Sequence, residues 1–242
     1  MLHRQGRMHP SICEFVNRNY YNGGLDAVPL PHQQEPLAFG TRPDDDRWTA
    51  FVGGTRMAFI SVQADEAEYY TKIESKQEQT ELAQSLPSVG DSSKSNKREA
   101  ETVARLVHTL CQLHSRSGIP FSPCKQIGII VPFRAQIAMI RKALAERHIP
   151  DTADITIDTV ERYQGSQRDI IIFSTTVSHP YQLSILSEPI MTDGREIDRK
   201  LNVALTRARK QFFMTGNETL LRNCTAYREF LDFLSKEQIL RL

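Results

Sequence analysis

The stretch RKLNVALTRARKQFFMTGN, residues 199–217, sets two arginines at the end of an apolar stripe. On a helix turning 100° per residue, Leu201, Ala204, Leu205 and Ala208 share one face, with Arg207 and Arg209 flanking it roughly 160° apart. Such a pair cannot serve one phosphate together. Either one arginine reaches an anion in a cleft while the other answers a carboxylate of the domain itself, or both are solvated flank charges. A second polar group, YQGSQRD at 163–169, precedes an apolar run. Gly165 permits a tight turn or a close backbone approach to a ligand, and the amides of Gln164 and Gln167 can bond hydroxyls or phosphate oxygens. The same residues also suit an ordinary loop. The acidic pair Asp65 and Glu66 invites a magnesium reading, but Gln63 and Ala64 separate it from the strand-like run before it. The sequence also has no GxxxxGK[ST] loop to hold a triphosphate, so a solvated helix start fits the pair better.

Composition narrows the classes. The chain has 242 residues, 40% hydrophobic and 24% charged, with a net charge of +1, so any polyanion site must be a local patch rather than a global field. Cys13, Cys111, Cys124 and Cys224 lie far apart, and the seven histidines form no HxxxH or HExxH spacing. That pattern predicts free thiols, a reducing compartment and no metal site. No apolar run approaches the roughly 20 residues that span a bilayer, and MLHRQGRMHP is no signal peptide. A cytoplasmic protein with no membrane partner is expected.

The elements that must position these groups follow from periodicity. Pro10 and Ser11 open a helix through Ile12, Phe15 and Val16, stopped by NGG at 22–24. Residues 27–55 read as loop, and RMAFISV (56–62) as a strand. The polar segment 65–96 is expected as a mobile insertion. A helix over KREAETVARLVHTLCQLH follows, then a strand at QIGIIVP (126–132) and a helix at RAQIAMIRKALAERH. DITIDTV and RDIIIFSTTV are strands, the second apolar on consecutive residues as burial on both faces requires. A long loop at 178–197, the helix of 199–210, the strand QFFMTG and two short closing helices complete the chain. Strands alternating with helices give one α/β domain with a parallel sheet and two long loop insertions. Ligands of such sheets collect at the carboxyl ends of strands, which selects PFRAQ (132–136), DTVERYQGSQRD (158–169) and RMHP (7–10).

Four segments in order, QGRMHPSICEFVNRNYYNGGL, IGIIVPFRAQI, TVERYQGSQRDIIIFSTT and KLNVALTRARKQFFMTGN, resemble the second RecA-like domain of superfamily 1 (1B) helicases. The likeness is to the branch of the nonsense-decay and DNA replication helicase-nuclease enzymes, and covers nearly the whole chain apart from about 27–95 and 178–197. It implies a domain of a larger protein, in which ATP and Mg2+ are held mainly by an N-terminal RecA-like domain of the same polypeptide. By this resemblance Arg207 is the arginine finger on the γ-phosphate and Arg7 the second arginine that reaches it. A finger of that kind is worth about 10³–10⁵ in rate. Gln164 and Gly165 fall in the motif that links the ATP cleft to the nucleic-acid groove and, with Gln167 and Gly6, are expected on the ATP side, while Thr159 is expected to bond a backbone phosphate of single-stranded DNA or RNA. Pro132, Phe133 and Gln136 match the motif that lines the same groove, where Phe133 either stacks on a base or packs under the loop. Two positions depart from the pattern: Gly6 stands where an aromatic usually stacks on adenine, and Gln167 where Glu is usual.

The function so implied is the C-terminal motor domain of an ATP-dependent helicase or translocase, inactive without its Walker A/B partner. Two other classes stay open from the residues alone: a degenerate motor kept as a nucleic-acid-binding or protein-interaction module, and a P-loop enzyme unrelated to nucleic acid.

Overall fold

The longest apolar runs of the sequence become the strands of one parallel sheet. The computed structural model describes residues 3–37, 39, 42–63, 94–163, 166–192 and 194–242. Along the chain lie β1 (Arg4–Gln5), α1 (Pro10–Tyr20), β2 (Asp26–Ala27), α2 (Pro31–Gln34), α3 (Arg47–Gly54), β3 (Met57–Ser61) and α4 (Lys97–Arg116). Next come α5 (Pro123–Gln126), β4 (Ile127–Val131), α6 (Arg134–Glu146), β5 (Thr156–Thr159), β6 (Arg168–Ser174) and α7 (Leu183–Leu186). The chain continues through β7 (Pro189–Thr192), β8 (Arg195–Asp198), α8 (Arg199–Thr206), β9 (Ala208–Gly216), α9 (Glu218–Leu221), α10 (Thr225–Phe233) and β10 (Ile239–Arg241). The main sheet has the order β10-β3-β9-β6-β4-β5, every neighbouring pair parallel.

Strand alternation divides the core into two layers. In β6, Ile171 and Phe173 pack with α1, α8 and α10 through Phe15, Leu205 and Phe230. Ile170 and Ile172 turn to the other face, against α3, α4 and α6 through Val52, Leu106 and Ile140. Each fully buried side chain of this size contributes about 1.5–3 kcal/mol, which is why strands covered on both faces need apolar residues in succession.

Several expectations need correction. The helix expected over 199–210 stops at Thr206: Arg207 caps it, and Ala208 already pairs with Arg168 of β6. Arg209 therefore belongs to a strand, and the helical-wheel placement of the two arginines does not apply. Within the presumed loop of 27–55, Asp46 accepts from the Thr49 N–H and starts α3, whose Trp48 and Val52 are buried. The segment 178–197 carries ordered structure of its own, a short helix and an antiparallel β7–β8 hairpin. The chain closes on β10, an edge strand beside β3, after α10. As for the insertion expected at 65–96, it lies outside the described residues as far as 93, and Asn96 caps α4.

Candidate functional site

Because the strands run parallel, the sheet has two chemically different edges, and the candidate residues divide between them. β6 and β9 start side by side at Arg168 and Ala208 and finish at Ser174 and Thr215. Arg7, Gln167 and Arg207 gather at the amino edge. Thr159, Pro132 and Phe133 follow the ends of β5 and β4 at the carboxyl edge. The expectation that all of them share the carboxyl edge is thus wrong for the arginines and for Gln167, because the turn from α8 into β9 delivers Arg207 to one strand's beginning and Gln167 directly precedes β6.

At the amino edge Arg207 is only 9% exposed, and among the described residues its Nε has no hydrogen-bond partner. Burial, and then the neighbouring charge of Arg7, hold its guanidinium below the ordinary arginine value. Arg7 donates from Nε to Gln167 Oε1 at 2.9 Å and from Nη1 to the Thr206 carbonyl at 3.0 Å. Among the described residues no carboxylate pairs with either arginine. By contrast, Arg209 is 3.1 Å from Asp169, and Lys210 lies 2.8 Å from Glu35. Nearby His9 is pushed down to about 4 by burial, Arg56 and His32, so it is neutral at physiological pH. Two neighbouring guanidiniums with no carboxylate partner among the described residues have the chemistry to take an anion: a multiply charged, multi-oxygen group such as a phosphate would relieve their repulsion and offer each a bidentate acceptor.

The turn that carries Arg7 is built by Gln5, which the sequence reading passed over. Its Oε1 accepts from the N–H groups of Arg7 at 2.9 Å and Met8 at 2.7 Å, while its Nε2 donates to the Met8 carbonyl at 3.0 Å. Gly6 is exposed, and a Cβ there would stand 3.0 Å from Leu30 Cδ1. Gln164 and Gly165 lie outside the described residues.

At the carboxyl edge Thr159 ends β5 with 9% exposure, and its carbonyl accepts from the Tyr163 N–H at 2.9 Å. Pro132 is half-buried and Phe133 turns inward. Gln136 does not line a groove. It is wholly buried, with Oε1 accepting from Asn96 N at 2.8 Å and Nε2 donating to Asn96 O at 3.1 Å. Both of its polar ends are thereby spent on fixing the start of α4. A second feature missed in the sequence is Glu99, wholly buried, whose carboxylate accepts from Ser174 Oγ at 2.9 Å, Thr215 Oγ1 at 2.8 Å and Thr176 N at 2.9 Å. Thr176 takes φ 62°, a left-handed conformation costly for a β-branched residue, and the bond to Glu99 holds it there. Despite its bonds, desolvation raises the Glu99 carboxyl to about 7.

The segment 160–167 joins the two edges. Its Tyr163 lies against β4 at Gly128, where a Cβ would come within 1.9 Å of the phenol oxygen. Among the described residues no group of three or more His, Cys, Asp or Glu is placed to hold a metal ion, and no helix is long and apolar enough to cross a membrane.

The family model AAA_12, described as an AAA domain, matches residues 1–219. The chain belongs to that family. It is 28% identical to the DNA polymerase alpha-associated DNA helicase A of Saccharomyces cerevisiae over 228 residues, 92% of this chain and 28% of that protein. It is 30% identical to the Regulator of nonsense transcripts 1 homolog of Arabidopsis thaliana over 225 residues, 91% of this chain and 14% of that protein. MOV-10 of Gallus gallus matches at 33% over 147 residues, 59% of this chain and 15% of the relative. The chain therefore spans under a third of the length of these relatives. With its parallel sheet flanked by helices, it is a RecA-like α/β domain, the C-terminal motor domain of the superfamily 1 helicase type.

Proposed function

We propose that this domain completes an ATP site together with an N-terminal RecA-like domain of the same polypeptide, and couples hydrolysis to movement along single-stranded DNA or RNA. The observation that carries the reading is the Arg7–Arg207 pair, two guanidiniums at the amino edge with no carboxylate partner among the described residues. Their geometry suits the terminal phosphate oxygens, onto which phosphoryl transfer loads charge. Mg2+ and the rest of the triphosphate belong to the other domain, whose binding loop this chain does not contain. Arg207 is the finger; Arg7, tethered by Gln167, is its companion. Thr159 and Pro132 at the carboxyl edge contact the strand, and the Tyr163-anchored segment relays the state of one edge to the other. The domain alone turns over no ATP.

The test is ATP hydrolysis by the full-length protein, wild type against Arg207→Ala, without nucleic acid and with single-stranded DNA or RNA. Relatives carry both DNA helicase and nonsense-transcript names, so both strands are tried. The stimulated rate is expected to fall by about 10³ with ATP binding little changed. An unchanged rate would make Arg207 a flank charge and remove the main support.

A further inference from the structure

The main chain around Arg7 is held by more than its own neighbours. Gln33 Nε2 donates to the Met8 carbonyl at 2.8 Å and to the Gln5 carbonyl at 3.4 Å, while His32 Nε2 donates to the Arg7 carbonyl at 2.9 Å. Gln33 is 2% exposed and Gln5 7%. Both side chains are long amides in a place where simple packing would favour apolar residues, and both are spent on the turn's backbone. The segment that brings Gln33 and His32 is itself fixed. β2 pairs parallel with β1, Val28 N donates to Gln5 O at 2.8 Å, and Leu30 N donates to Gln33 Oε1 at 3.2 Å.

We infer that Gln33 and His32 are positioning residues for Arg7, setting the height and direction from which its guanidinium leaves the turn. The inference rests on the ATP reading above. A group that answers charge only in the transition state must be placed within about 0.5 Å, and a displacement of about 1 Å costs on the order of a hundredfold in rate. Gln5 alone fixes the turn's N–H groups. Gln33 and His32 fix its carbonyls, and with them the plane of the peptides on either side of Arg7. The side chain is then steered by Gln167 and the Thr206 carbonyl.

The experiment uses the full-length protein with ATP, Mg2+ and a single-stranded oligonucleotide. Gln33→Met and His32→Leu are each made alone and in an Arg7→Ala background. Gln33→Met keeps the volume and leaves the Met8 carbonyl its bond from Gln5; His32→Leu removes one bond at a half-buried position, so it serves if Gln33→Met folds poorly. Each single variant is expected to lower kcat about five- to twentyfold, the scale of one or two lost hydrogen bonds, with KM nearly unchanged. In the Arg7→Ala background neither should slow the enzyme further. Equal losses in both backgrounds would mean a merely structural role and would overturn the proposal, as would full activity beside a slow Arg7→Ala. An Arg7→Ala enzyme as fast as wild type would instead overturn the ATP reading, and this proposal with it.

Discussion

Arg209 follows Arg207 by two residues, yet it is 3.1 Å from the carboxylate of Asp169 while the Nε of Arg207 has no hydrogen-bond partner among the described residues. On the function proposed above, the difference would separate a structural arginine from one held ready for a ligand. It predicts opposite responses. Arg209→Ala should leave nucleic-acid-stimulated ATPase within about twofold, and cost about 0–1 kcal/mol because the ion pair is partly exposed. Arg207→Ala should cost the fold nothing while removing the activity. Urea denaturation and steady-state kinetics on both variants decide it, and a stability loss confined to Arg207→Ala would reverse the assignment.

Gln136 gives a second contrast, between burial and a surface role. Gln136→Leu leaves the Asn96 N–H without its partner and removes one of two donors from the Asn96 carbonyl, which keeps the bond from Ala100 N, so a loss of about 1–3 kcal/mol is expected. Affinity of the full-length protein for single-stranded oligonucleotide should stay the same once the protein is folded. Fluorescence anisotropy at a temperature well below unfolding checks this; weaker binding at unchanged stability would return Gln136 to a groove.

Gly128 tests the seat of the segment joining the two edges. A Cβ there would meet Tyr163 Oη at 1.9 Å, Tyr163 Cζ at 2.8 Å and Arg168 Cγ at 3.0 Å. Gly128→Ala should therefore destabilise by about 1–3 kcal/mol through overpacking. Tyr163→Phe removes an oxygen that has no hydrogen-bond partner, so it should be neutral or stabilising and should recover part of the Gly128→Ala loss. Additive losses in the double variant, measured by chemical denaturation, would show that the two do not meet.

Glu99 should make stability depend on pH. Its folded value of about 7 stands above the ordinary glutamate value of 4.5, so the folded state favours the protonated carboxyl. The favourable difference is fully present below about 4.5 and is lost as pH rises towards 7, a change on the order of 3 kcal/mol. Wild type minus Glu99→Gln should then be more positive at pH 5 than at pH 8 in denaturant titrations. The reverse slope would mean that the bonds from Ser174, Thr215 and Thr176 outweigh desolvation.

Much of the fold was legible because strands buried on both faces leave consecutive apolar residues, as in Ile170–Phe173. What escaped has physical reasons. The end of α8 was blurred because Ala208 continues the helical stripe of Leu201 and Ala204 while also pairing in β9. β10 is three residues long and owes its existence to β3 beside it. Gln5 and Gln33 act through bonds to backbone, which leave no local periodicity. Glu99 did leave a signal: it sits four residues before Val103 on the apolar stripe of α4, an improbable place for an unbonded carboxylate. Arg207 and Arg7 were joined by resemblance alone, and the structure brings them to one edge.

The unanswered charge at that edge also bears on how the domain tolerates change. A buried guanidinium with an unpartnered nitrogen, next to another cation, opposes folding rather than aiding it. Replacing Arg207 with methionine should raise the melting temperature of the protein even as turnover disappears. A gain in melting temperature together with lost turnover would mark the amino edge as the place where the molecule trades endurance for work.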